Sequence, residues 1–421
     1  MSATRPPHVQ LFPNLQKLSI SGSASHSLYY FPFFSPSIIN LEFKFSDETP
    51  QFTEYMLREI RSRLPNLRDL TLSFKRAVSE VEDGVVTCID GLRHLRHVCL
   101  PRLHLTTRIL AALSKFPDLV KISTIYSEPM VGQVSASLLW FQTETFDNLS
   151  SFAIASPLET IAMMLADKKW APQLTELEIT VPALVDMESL RQFLDLMARS
   201  RTNLSLLRLD LFNPASRTAP LSIETIRPVL ELTNIHVLDI RHNLPPTIDC
   251  DELANILSCL PNIDHFTLCH DVVHGSPQIG LPWTSLELFA LYAPRIQSIR
   301  MYFQPSQSFK PVEQSSRLES IKLLDVGSST LKNETQLVIY LADLCSSSMQ
   351  IHWGDSSKTP LSNAGRANPT ANGWSAVAVL FSAVANMRDR TEANAMGKMP
   401  RTVGWRQLEQ APAWEIDDSE I

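Results

Sequence analysis

The chain has 421 residues, 44% of them apolar, and a formal net charge of −7. This balance argues against a general nucleic-acid-binding protein, whose affinity depends on clustered cations that neutralise phosphates. The sequence shows no apolar leader and no apolar run long enough to cross a membrane, so we expect an intracellular protein, cytoplasmic or nuclear, with no membrane contact. Six scattered cysteines with no Cys-x-x-Cys pair are typical of thiols in a reducing compartment.

A six-residue phrase, Leu-x-x-Leu-x-Ile or a close variant, recurs about a dozen times along the chain. Its clearest copy contains Leu174, Leu177 and Ile179. The middle apolar residues of the copies are Leu18, Leu41, Leu70, Val98, Ile122, Phe152, Leu177, Leu207, Leu238, Phe266, Ile299 and Ile321. Successive copies are about 22 to 33 residues apart, which is typical of leucine-rich repeats at the long end of their range.

The phrase has a physical cause. Residues two apart point to the same side of a strand, so the last two apolar residues of each copy face the interior and the residue between them faces away. Repeats of this length leave room for a helix on the return segment. We therefore predict an α/β fold, a leucine-rich-repeat solenoid (horseshoe) with convex helices and a parallel concave sheet. The concave face is the face of the sheet turned away from the helices.

In chain order, residues 1–10 form a polar lead and about twelve irregular repeats occupy 11–351. Apolar residues at helical spacing predict the first convex helix over 52–63. The dipeptide Leu64-Pro65 ends it, because proline disfavours helical geometry in the residue before it. Further helices are predicted near 105–115, 158–169, 186–199, 222–232, 249–259, 283–292 and 334–345. Asp186 and Ser222 are predicted N-caps.

Longer polar segments are predicted as loops at 76–91, 126–143, 212–221 and 270–282. After Ile351 the repeat pattern stops. We predict a linker over 352–373, a C-terminal capping helix over 374–390 and a disordered tail over 391–421. We expect the uncovered first strand to favour self-association, which helices added upstream would suppress.

Two clusters contain residue types that bind metals. His94 and His97 flank a strand phrase that accounts for them, and Cys269-His270-Asp271 with His274 lacks the second ligand pair of a zinc site. The chain contains no phosphate-binding loop, dinucleotide-binding fingerprint or nucleophile elbow. The sequence therefore predicts no metal, no cofactor and no enzymatic activity.

The irregular repeats, the apolar-Pro-Asn-Leu phrase as at 64–67, and the scarcity of asparagine after the strands resemble the leucine-rich-repeat portion of fungal F-box proteins. Only Asn243 fits the strict repeat's asparagine position. The resemblance covers residues 11–351 and implies a protein–protein interaction module that recognises substrates for an F-box-type (SCF) ubiquitin ligase. The F-box, which docks on a Skp-type adaptor, does not precede the first strand, so that adaptor is expected as a partner only if an F-box is restored upstream. The alternative is a leucine-rich-repeat binding scaffold with no ubiquitin-ligase link.

On the predicted concave face, charge is concentrated in the C-terminal half. The candidate partner-binding residues are Glu178, Arg208, Asp210, Asp239, Arg241, Arg300 and Tyr302, and Lys322 is the predicted last member of the middle column. Two interpretations stay open. The charges form a ladder in which neighbours neutralise one another, or they bind a protein partner, for which arginine and tyrosine are enriched types.

Overall fold

The computed structural model describes residues 11–22, 28–45, 49–125, 145–182, 185–211, 219–270, 280–304, 317–354 and 369–395. Within these ranges the strands are β1 Lys17–Gly22, β2 Asn40–Phe45, β3 Asp69–Ser73, β4 His97–Pro101, β5 Lys121–Ile125, β6 Ser151–Ala155, β7 Glu176–Thr180, β8 Leu206–Asp210, β9 Val237–Arg241, β10 His265–Leu268, β11 Leu281–Pro282, β12 Ser298–Met301, β13 Phe303–Gln304, β14 Leu323–Asp325 and β15 Gln350–His352.

Thirteen of these strands form one parallel sheet whose spatial order is the order of the chain, while β11 and β13 pair separately. This topology confirms the predicted solenoid and excludes a doubly wound domain, whose strands lie out of sequence order. Every predicted strand is present, and β15 adds one that was not predicted. With neighbours about 4.8 Å apart, the sheet extends on the order of 60 Å.

Alternating burial within each strand defines the core. In β3, Leu70 and Leu72 are buried while Thr71 between them is partly exposed. The inward residues of every strand join the buried faces of the helices in one continuous hydrophobic cluster. Each repeat therefore buries its apolar face against its two neighbours, which is what holds a solenoid together.

The register of the twelfth repeat differs from the prediction. Two overlapping phrases fit the sequence there, and the one beginning at Leu318 is wrong. Ile299 of β12 pairs with Leu324 of β14, so the phrase is Ile321, Leu324 and Val326, all buried. Asp325, and not Lys322, is therefore the residue of the middle column in this strand.

The helices follow the strands on the other side of the core. Their bounds are Pro50–Arg63, Val78–Asp90, Thr107–Leu113, Leu158–Ala166, Met187–Ser200, Ile223–Ile226, Cys250–Cys259, Leu286–Tyr292, Glu334–Leu344 and Pro369–Ala395. Short 3-10 helices occupy Leu28–Phe33, Arg102–His104, Arg227–Glu231 and Trp283–Ser285. The predicted helices are present, with one change of type and one additional helix described next.

The segment 76–91, predicted as a loop, contains the helix Val78–Asp90. Its buried residues Val81, Val85 and Ile89 recur at four-residue spacing and pack it on helix 50–63. Gly84 lies at the contact, since a Cβ there would be 3.0 Å from Leu57. The helical signal was present in the sequence, but polar residues between the apolar positions obscured it.

The predicted helix 222–232 is α-helical only over Ile223–Ile226 and continues as a 3-10 helix. Pro228 explains the change, because proline has no N–H to donate to the carbonyl four residues earlier. Asp186 is an N-cap as predicted, with its carboxylate accepting from the N–H groups of Glu188 and Ser189. Ser222 precedes its helix without capping it, since its hydroxyl pairs with Thr225.

The asparagines of this chain form a ladder before the strands. In four repeats an asparagine side chain donates to a carbonyl of the preceding repeat: Asn66 to Pro36 at 2.8 Å, Asn148 to Pro117 at 2.8 Å, Asn234 to Thr202 at 3.3 Å and Asn262 to Thr233 at 3.3 Å. In these four repeats the asparagine directly before the first apolar residue of the strand phrase therefore links successive turns of the solenoid, and in two of them, Asn66 and Asn262, it follows a proline.

The C-terminal helix is longer than predicted. It runs from Pro369 to Ala395, which overlaps the predicted linker and the predicted tail; residues 355–368 and 396–421 lie outside the described residues. Trp374, Val377 and Phe381 are buried, and the helix packs on helix 334–344. Leu380 and Met387, which recur at helical spacing with these residues, are 47% and 59% exposed.

Buried His104 makes stability depend on pH. The side chain is 2% exposed and stacks on Phe74 with ring centroids 5.5 Å apart. Burial lowers the pKa of His104 from 6.5 to about 4, partly opposed by the backbone of Arg76. Between these values the unfolded chain binds the proton and the folded chain does not, so stability falls as pH drops through this window.

We expect His104 to contribute about 3 kcal/mol of stability at pH 7 that is lost between pH 6.5 and 4. The measurement is the urea midpoint across this range for wild type and for His104→Asn, which does not titrate. The variant should show a flatter profile, with a residual slope from other groups. Parallel profiles would show that His104 is charged or accessible in the folded protein.

Candidate protein-interaction surface

The register of the sheet sets the side chains of the concave face in columns. Across the C-terminal half, the middle column runs Ala153, Glu178, Arg208, Asp239, Thr267, Arg300, Asp325 and His352. The next column contains Thr180, Asp210 and Arg241. Period-two alternation therefore assigned the charged candidates on the strands to the correct face of the sheet.

The charges at the centre of this face form a connected ion network. Arg208 lies between two carboxylates, with Nη1 2.9 Å from Glu178 Oε2 and Nε 2.8 Å from Asp239 Oδ2. Arg241 donates to both oxygens of Asp239, at 3.1 and 3.2 Å. Asp239 is thus held by two guanidinium groups, as expected for a carboxylate that is only 3% exposed.

A second ion pair reaches this region from far away in sequence. Arg102, in the 3-10 helix after β4, places Nη1 3.1 Å from Asp210 Oδ2 on β8, 108 residues later. Both side chains are largely buried. This contact ties repeats on the two sides of segment 126–144, which lies outside the described residues. No pattern in the sequence indicates that Arg102 belongs to the site.

The network fixes the ionisation of its members. Burial disfavours the Asp239 carboxylate, but Arg241 and Arg208 outweigh burial and lower its pKa. Burial also disfavours the charged form of Arg208, and Glu178 and Asp239 reverse the effect and raise its pKa. The central charges are therefore permanent and mutually compensated, which is the geometry of the neutralised ladder.

Burial changes the role of three predicted partner-binding residues. Asp210 and Asp239 are enclosed within the network, at 8% and 3% exposure, so their carboxylates are not offered to a partner. Tyr302 follows the end of β12 and is 7% exposed, with its ring against Gly280. Because Tyr302 lies beyond the strand, period-two alternation no longer describes which way its side chain points.

Arg300 stands apart from the network. Thr267 separates it from Asp239 in the column, and its other neighbour, Asp325, is buried and accepts from the N–H of Gly327 at 3.1 Å. Within the described part of the chain, Arg300 makes no ion pair, whereas Arg208 and Arg241 are both neutralised. Among the predicted arginines it is the one whose charge remains uncompensated.

The residues that mimic metal ligands have other roles. His97 Nδ1 lies 2.5 Å from Asp69 Oδ1 on the adjacent strand. Cys269 and His270 are completely buried, and Asp271 and His274 lie outside the described residues. In the ranges that the structure describes, no group of three or more histidine, cysteine, aspartate or glutamate residues is placed to hold a metal.

None of the helices in the described ranges combines the length and apolar character needed to cross a membrane.

Solved structures of other proteins are similar to this chain. The crystal structure of the yeast Rad7–Elc1 complex contains a chain that aligns with a TM-score of 0.42 and 17% sequence identity, covering 86% of this chain and 81% of that one. No protein-family model matches the sequence, and no curated protein matches it. The assignment of the fold accordingly rests on this chain's own strand order and repeat pattern.

Proposed function

We propose that this chain is a protein–protein interaction module that binds its partner on the concave face of the sheet. The observation that supports the proposal is the sheet itself: thirteen parallel strands, within the described residues, present an unbroken series of outward side chains. Regularly spaced side chains on a wide, rigid surface suit an extended protein ligand, as in other solenoids.

The composition of the face agrees with this role. Its N-terminal half carries small polar residues such as Thr71, Cys99 and Ser123 and the Glu42–Lys44 ion pair, and its C-terminal half carries the ion network and Arg300. Polar and charged side chains at the edge of an interface contribute orientation and selectivity more than affinity. A partner would therefore be selected by charge at one end of the face.

Site-specific photo-crosslinking tests the proposal. A photoreactive amino acid at Thr71 or Thr180, both partly exposed on the concave face, should give the same protein adduct in living cells. The matched controls are Met163 and Leu291, which are 65% and 66% exposed on convex helices. Adducts from the convex positions without adducts from the concave ones would contradict the proposal.

A finer proposal is that the module recognises substrates for an F-box-type ubiquitin ligase. It is supported by the resemblance of the repeat phrase to fungal F-box proteins, and the scaffold without a ligase link remains the alternative. Co-precipitation of a Skp-type adaptor with this chain, and with the product of any longer transcript, separates them. If the adaptor precipitates with neither form, the scaffold without a ligase link is favoured.

A further inference from the structure

At the C-terminal end of the concave face, four basic side chains form no ion pair with a carboxylate of the described residues. We call the residues His265, Arg300, Lys322 and His352 the C-terminal cationic patch. They lie on β10, on β12, immediately before β14, and on β15. Arg300 is partly exposed and the other three are exposed.

The carboxylates near the patch either bind other groups or form no ion pair with the patch. Asp264 Oδ2 lies 2.9 Å from His236 Nδ1, and Asp264 Oδ1 lies 3.8 Å from Arg295. Asp325 is buried, and its carboxylate accepts a hydrogen bond from the N–H of Gly327. Glu319 is exposed in the adjacent cleft that Lys322 also lines, but it forms no ion pair among the described residues.

Neither Arg300 nor Lys322 is paired with a carboxylate in the described part of the chain. Lys322 Nζ donates to the neutral amide oxygen of Gln297 at 2.9 Å, and Arg300 has no carboxylate partner. Burial lowers the pKa of His265, the nearby Asp264 carboxylate opposes this effect, and the charges of Arg300 and Lys322 add to the lowering. His265 is therefore neutral at pH 7 and lies within electrostatic reach of both Arg300 and Lys322.

We propose that the C-terminal cationic patch binds an acidic segment of the partner protein, with Arg300 and Lys322 holding Asp or Glu carboxylates and the two histidines flanking them. This inference rests on the proposed function and names the chemistry of the partner. Arg300 and His352 are two strands apart, about 10 Å, a distance that the backbone of an extended peptide spans in about three residues. One lysine and one arginine in a chain of net charge −7 are too few to hold a nucleic acid.

The test uses fluorescein-labelled hexaglutamate as the probe and fluorescence anisotropy as the readout, with hexalysine as the sign control. Wild type should bind hexaglutamate and not hexalysine, and the affinity should fall with added salt. The variant Arg300→Glu/Lys322→Glu should bind about tenfold more weakly, since each substitution replaces an attraction by a repulsion. Its thermal stability should be unchanged, because neither side chain forms an ion pair with a described residue.

A charge-matched control is Lys168→Glu/Arg199→Glu, at exposed positions away from the concave face; its affinity should stay within about twofold of wild type. The neutral variant Arg300→Gln/Lys322→Gln should bind hexaglutamate with intermediate affinity, and it replaces the reversed variant if that one fails to fold. Equal hexaglutamate binding by wild type and both patch variants, or no binding by wild type, would overturn the inference. Concave-face crosslinks that persist in the patch variants would refute this inference alone, whereas their absence in wild type would refute the proposed function.

Discussion

Reversing both arginines of the central network, Arg208→Glu/Arg241→Glu, is expected to lower the free energy of unfolding by about 3 kcal/mol or more. Asp239 loses both of its cationic partners, which lie 2.8 and 3.1 Å away. The side chain of Asp239 is 5% exposed, so water cannot replace them. The two new carboxylates, and Glu178, which loses its partner Arg208, also repel Asp239 and one another. Urea denaturation at pH 7 measures the loss.

The control is Lys168→Glu/Arg199→Glu, which makes the same change in net charge at exposed positions and should stay within about 0.5 kcal/mol of wild type. Adding Asp239→Asn to the reversed variant should recover part of the loss, because the buried charge is then removed. Wild-type stability in the reversed variant would show that the network contributes nothing to folding. Since Arg241 and Arg208 lower the pKa of Asp239 despite its burial, its stabilising contribution persists above its usual pKa and is lost as pH falls through the lowered value.

This expectation changes how binding at the concave face has to be tested. Under the partner-binding interpretation of the sequence, reversing Arg208 and Arg241 would disturb a partner and spare the fold. Their pairing with a buried carboxylate means that reversal disturbs both. Arg300 and Lys322 are the better pair, because their substitution removes no ion pair among the described residues.

Much of the surface could be predicted because strand alternation is strict. The side chains of Glu178, Arg208 and Asp239 face the same way because each lies between two buried apolar residues of its phrase. Their mutual pairing follows from the parallel register, in which residues at equal positions of successive repeats are neighbours. Period and register together therefore give the central network without any structural information.

The remaining features depend on geometry that the repeat does not encode. Tyr302 lies one residue beyond its strand, where alternation ends. Arg102 meets Asp210 across 108 residues, and no local pattern reports such a contact. In the twelfth repeat, two phrases three residues apart fit equally well, and only the pairing of Ile299 with Leu324 distinguishes them.

Substituting Gly327 by alanine is expected to destabilise the protein by about 2–5 kcal/mol. Gly327 follows β14 with a φ of +49°, in the left-handed region that residues with a Cβ avoid. A Cβ at this position would also overlap the carbonyl oxygen of His270, which is backbone and completely buried. The strain and the overlap add, because rotating a side chain relieves neither. The change in the urea midpoint measures the sum.

Gly354 separates the two contributions. It also has a positive φ, +91°, but a Cβ there would meet no atom within 4 Å, and its N–H donates to the carbonyl of Gly327 at 2.8 Å. Gly354→Ala should therefore lose only the conformational part, about 1–2 kcal/mol. A clearly larger loss for Gly327→Ala would assign the difference to close packing of the turn after β14 on the end of β10. Equal losses would mean that the His270 carbonyl moves aside, and that the turns at this end of the sheet are less tightly packed than the structure indicates.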